Sequence, residues 1–84
     1  MKHCMITFRS VTPAQRAEGA LKRAGIDCTL QRTPRKMEEQ GCGYCLKMAS
    51  AQAMRAVAVL QEHQIPYRKV YLHRTEGQLE EMHL

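Results

Sequence analysis

Eighty-four residues with a net charge of +5 bound one small domain with a modest core. Hydrophobic residues make up 44% and charged residues 25%, the balance of a soluble globular protein, and no apolar run approaches the roughly 20 residues that cross a bilayer. The basic residues are dispersed and interrupted by Glu38, Glu39, Glu80 and Glu81, so the charge suits docking to acidic protein partners better than nucleic acid.

In chain order, Cys4 to Phe8 alternates as a strand, with Cys4, Ile6 and Phe8 on one side and Met5 and Thr7 on the other. The opening residues lack the long apolar segment and small-residue cleavage site of a signal peptide, so the cytoplasm is the expected compartment, where cysteines stay reduced. Ser10 or Thr12 can cap a helix whose first turn accepts Pro13, whose apolar positions are Ala14, Ala17, Ala20, Leu21 and Ala24, and which Gly25 ends. A second strand through Ile26, Cys28 and Leu30 runs to about Arg32.

Positions 33–43 are polar and read as a long connection, followed by a third strand over 44–48 with Tyr44, Leu46 and Met48 on one side. Ser50 is the expected cap of a second helix with an apolar stripe at Met54, Val57, Ala58 and Leu60, stopped by Ile65-Pro66. Residues 67–72 make a fourth strand. The order β-α-β-β-α-β over 1–72 predicts an α+β, ferredoxin-like plait: a four-stranded antiparallel sheet with two helices on one face. Residues 73–84 are expected to be a tail or a short helix.

The chemistry concentrates in Gly41-Cys42-Gly43-Tyr44-Cys45. The glycines let the backbone bend and leave the Cys42 sulfur uncovered. In a plait this turn shares one end of the sheet with Arg9 and the start of the first helix, whose partial positive charge, with Arg32, Arg35 and Lys36 nearby, lowers a thiol pKa. Cys42 is thus the expected reactive thiol, and Cys45 at the strand start a candidate resolving thiol. Cys4 and Cys28 fall on core positions, and the irregular spacing of the four cysteines is no disulfide framework.

Two cysteines at this spacing leave other chemistries open. They could hold a soft metal, Cu(I) or Zn, although a structural zinc site needs four ligands and only His63 is expected near the thiol edge. Thioredoxin-type exchange wants the pair at the start of a helix, whereas this pair runs into a strand. A protein-interaction domain with incidental thiols is a further reading.

The chain also resembles a known group, the small prokaryotic selenium/sulfur carrier-like proteins, from about Cys4 to Tyr71. The resemblance is carried by Thr7-Phe8-Arg9-Ser10, Ala17-Glu18, Leu21-Lys22, Ala24-Gly25-Ile26, Thr33-Pro34-Arg35, Cys42-Gly43 and Ile65-Pro66-Tyr67. It implies that Cys42 is the functional cysteine of a Cys-Gly pair and that Pro34-Arg35 match a Pro-Arg pair. The chain departs from the pattern in having Glu39-Gln40-Gly41 where small residues usually precede the cysteine, and in the second thiol, Cys45.

Together these features predict a thiol carrier rather than a turnover catalyst. Cys42 would hold a persulfide or perselenide, while Arg9, Pro34, Arg35, Gly41 and Gly43 contact substrate or partner. The expected donor is a desulfurase or selenocysteine lyase and the expected acceptor a selenophosphate synthetase or thiolation enzyme, with no resident cofactor. The uncovered sheet face, bearing Met5, Thr7, Cys45 and Lys47, is expected to pair two copies into a homodimer.

Overall fold

A computed structural model of the protein describes residues 3–32, 43–75 and 78–82, with side chains described as far as residue 72. Strand β1 (His3–Phe8) leads through Arg9 and Ser10 into helix α1 (Val11–Arg23); β2 (Thr29–Arg32) and β3 (Tyr44–Ala49) follow. A single 3-10 turn, Ser50–Gln52, opens onto helix α2 (Ala53–Glu62), and β4 (Val70–Thr75) and β5 (Gln78–Met82) close the described chain. The sheet order is β2-β3-β1-β4-β5, every neighbouring pair antiparallel. Its first four strands have the arrangement of a ferredoxin-like plait, as the α+β reading predicts.

Alternation along β1 and β3 builds the core. Cys4, Ile6, Phe8, Leu46 and Met48 turn to the helix side and are buried there with Ala14, Ala17, Leu21, Val57 and Leu60. Both helices end in the same way. The Gly25 N–H donates to the Lys22 carbonyl and the Ile26 N–H to the Leu21 carbonyl, with Gly25 at φ +82°. The Gln64 N–H donates to Gln61 and the Ile65 N–H to Leu60, with Gln64 at φ +55°. These are paired Schellman closures, each seating an isoleucine in the core against the leucine it bonds.

Ser50, expected to cap the second helix, instead opens the 3-10 turn, and the cap position of α2 is Gln52; β2 begins at Thr29 rather than at Ile26. Four further expectations change. The buried stripe of α2 is Ala53, Ala56, Val57 and Leu60, and Met54 is 63% exposed. The 3-10 turn delays the helix to Ala53, and from there the spacing i, i+3, i+4, i+7 puts Met54 and Ala58 one step round, on the solvent side. The stretch expected as a tail or short helix contains strand β5, paired to β4 with a register shift between His73 and Thr75.

The fourth strand starts at Val70 rather than at residue 67. Ahead of it the Arg68 N–H donates to the Thr7 carbonyl at 2.7 Å and the Lys69 N–H to Thr7 Oγ1 at 3.0 Å, while the Thr7 N–H donates to the Lys69 carbonyl at 2.8 Å. Two residues therefore answer one, the pattern of a β-bulge.

Finally, the sheet face expected to be uncovered is closed at three of its four named positions. Met5 is 8%, Thr7 3% and Cys45 0% exposed, and Tyr71 packs against Met5 and Cys45. The open-face basis for a homodimer does not hold at these residues.

Candidate functional site

The register fixes what gathers at one end of the sheet. Phe8 pairs with Tyr44, and Tyr44 with Arg32. The last residue of β1, the first of β3 and the last of β2 thus lie side by side. Gly43 and Arg9 each sit one residue beyond those pairs, Gly43 buried and Arg9 exposed. Helix α1 starts two residues after Arg9, so its N-terminal end lies here too. The placement expected of Arg9, Arg32 and Gly43 at a common end is what the structure shows. Pro34, Arg35, Gly41 and Cys42, and Lys36 with them, lie outside the described residues.

The described residues at this end carry positive charge, Arg9 and Arg32. The Arg32 guanidinium stands 6.0 Å from the Tyr44 ring centroid, at the limit of a cation–π contact. In the first turn of α1 there is no acidic residue, and Ser10 makes no side-chain capping bond. No carboxylate of the helix's own first turn offsets the partial positive charge of its leading N–H groups.

The three described cysteines are all inside. Cys4 is fully buried on the core side of β1, and burial pushes its thiol up to about 11. Cys28 is 9% exposed; burial raises its pKa, Glu18 and Asp27 add to the rise, and Lys22 opposes it. Both serve as small apolar core residues. Cys45, opposite Thr7 on β1 and Gln31 on β2, is sealed on the other face of the sheet against Met5 and Tyr71. Among the described residues no group of three or more His, Cys, Asp and Glu is placed to hold a metal ion. His63 caps the C-terminal end of α2 and lines a groove with Arg16 and Arg23 of α1.

One feature of this end has no strong signal in the sequence. Arg9, Ser10 and Pro13 face Pro66, Tyr67, Arg68 and Lys69 across a cavity of about 570 Å³. A regular strand over 67–72 would send Arg68 and Lys69 to opposite faces. The bulge at Thr7 puts both on the cavity wall. A weak signal exists in Pro66, which cannot donate to a sheet ladder and so delays the strand.

The family model described as "Putative Se/S carrier protein-like" matches residues 3–72 of the chain. The match runs from β1 into β4 and stops before β5. No curated protein matches the chain. The chain belongs to the Se/S carrier protein-like family.

Proposed function

From that membership we propose that the protein is a thiol carrier in which Cys42 holds sulfane sulfur or zero-valent selenium. The observation that carries this reading is the burial of the other three thiols: Cys4, Cys28 and Cys45 are at most 9% exposed. A carrier must offer its sulfur to two enzymes in turn, and a buried thiol cannot do so. Cys42 is bonded to Gly43, at the end of the sheet that carries Arg9 and Arg32. Positive charge favours thiolate.

The step needs no acid–base pair. The Cys42 thiolate attacks the outer sulfur of a persulfide on the donor enzyme, a desulfurase-type protein. The donor S–S bond breaks, the donor departs as thiolate, and the new S–S bond leaves the persulfide on Cys42. A nucleophile on the acceptor then takes the outer sulfur and releases the Cys42 thiolate. Selenium follows the same path, with a selenocysteine lyase as donor and a selenophosphate synthetase as acceptor. No net oxidation occurs, so no resident cofactor is called for. Cys45 is buried with Met5 against Tyr71, and the proposal gives it no part in transfer.

Alkylation at limiting iodoacetamide, read by peptide mass spectrometry, tests the reading. Cys42 should be labelled well before Cys4, Cys28 or Cys45. Labelling of any of the three ahead of Cys42 would overturn it.

A further inference from the structure

We propose that the groove between α1 and the end of α2 is a docking surface for a carboxylate-rich segment of a partner protein. Arg16 and Arg23 of α1 line it together with His63, the residue that ends α2. All three are exposed, and among the described residues none of them has an ion-pair partner; the carboxylate of Glu18 is taken by Lys22 at 3.4 Å. The floor between these basic groups is apolar, with Ala20 3% and Ile65 5% exposed.

A glycine lets both arginines reach one groove. Gly19 lies inside α1, where glycine weakens a helix relative to alanine. A Cβ there would meet Arg23 Nη1 at 3.4 Å, so the Arg23 guanidinium lies over the bare turn. Helical side chains lean towards the N-terminus, and Arg23 follows that lean back along α1 into the groove that Arg16 lines. On the other wall the left-handed turn at Gln64 leaves His63 exposed and Ile65 buried, so one helix end supplies both a basic rim and part of the apolar floor. Like charges gathered without a counter-charge repel, and carboxylates of a partner relieve that repulsion.

Shape and charge together favour a protein segment. The groove holds about 290 Å³, just under the roughly 300–1,000 Å³ of small-molecule sites, and its basic groups stand exposed at the rim instead of enclosing a ligand. An apolar floor inside a polar rim is the anatomy of a protein–protein contact. Single-stranded nucleic acid would stack its bases on aromatic rings, and among the described residues lining the groove there is no Phe, Tyr or Trp. The surface is separate from the sulfur chemistry: its test involves no persulfide, and its failure leaves the carrier reading untouched.

The test is a titration of the reduced, full-length protein with a hexaglutamate peptide and with a thymidine hexanucleotide, followed through backbone amide resonances. Hexaglutamate should shift the amides of Arg16, Gly19, Arg23 and His63 saturably. Arg16→Gln and Arg23→Gln should each weaken it about threefold, Arg23→Lys should keep most of the affinity, and Lys22→Gln, on the neighbouring face and already paired with Glu18, should change nothing. Gly19→Glu is the sharpest variant. It replaces a helix-weakening glycine and sets a carboxylate under Arg23, so it should raise the denaturation midpoint while cutting hexaglutamate affinity about tenfold. Unchanged affinity in Gly19→Glu would overturn the site. So would shifts that never saturate or that spread over the whole basic surface, or a loss in Lys22→Gln equal to that in Arg23→Gln. Tighter binding of the hexanucleotide at the same amides would overturn the protein segment as occupant and make the groove a nucleic-acid contact.

Discussion

Cys4, the second residue of β1, has no exposed surface, and its pKa is raised from 9.0 to about 11. Its unfolded form ionises first. Below pH 9.0 the thiol is neutral in both states and the core contact is intact; above it the unfolded chain loses a proton that the folded one retains. Stability should therefore fall as pH rises from about 9 towards 11. Cys28, shifted the same way, adds to the fall. Denaturant midpoints measured across that range should show it, and Cys4→Ala should flatten the slope. An unchanged slope would remove the buried thiol as its cause.

The same scale separates two residues that look alike as sequence. Met54 and Leu21 both fall at plausible core positions of a helix, yet Met54 is 63% exposed and Leu21 fully buried. Leu21→Ala should cost about 3 kcal/mol and Met54→Ala less than about 0.5 kcal/mol, read from urea denaturation. A large loss at Met54 would mean that α2 is rotated from the orientation described.

At the scale of elements, the two helices test one closure with two different residues. Gly25 at φ +82° has nothing within 4 Å of where a Cβ would stand, so the cost of a side chain there is backbone strain alone. Gln64 carries that strain already at φ +55°. Gly25→Ala should destabilise by about 1 kcal/mol and Gln64→Gly should stabilise by up to about 1 kcal/mol, measured by the same denaturation. If Gln64→Gly destabilises, the left-handed closure of α2 is not what holds Ile65 in place.

These elements also show what could be read beforehand. Alternation exposed the two faces of β1 and β3, and Gly25 marked the end of α1, because period and glycine are local signals. The closure at Gln64 was hidden, since glutamine does not announce a positive φ. The bulge at Arg68 and Lys69 depends on a threonine more than sixty residues away, and only pairing reveals it. Strand β5 was missed because Glu80 and Glu81 suggest a solvated tail; on an edge strand such residues are ordinary, where they discourage pairing with another chain. Of the residues proposed for the site, Arg9 and Gly43 came together as the topology demanded, whereas Cys42, Gly41, Pro34 and Arg35 lie outside the described residues.

At the scale of the whole molecule, two features bear on what the chain meets. No helix among the described residues is long and apolar enough to cross a membrane. The sheet face away from the helices already buries Met5, Thr7 and Cys45 within a single chain. Met5→Glu would place a carboxylate among them, so it should lower the denaturation midpoint by an amount independent of protein concentration. A loss that shrinks as concentration rises would return Met5 to an interface between copies.

On the proposed reading, Cys42 holds the sulfur and a docking enzyme takes it from there. The most direct measurement of the central claim is loading. The reduced protein is incubated with a cysteine desulfurase and cysteine, and its intact mass and peptides are read without reductant. The account predicts one or more added sulfur atoms on the peptide bearing Cys42, none on those bearing only Cys4 or Cys28, complete loss of the gain in Cys42→Ser, and retention of loading in Cys45→Ser. A Cys42→Ser protein that still acquires sulfur would contradict it.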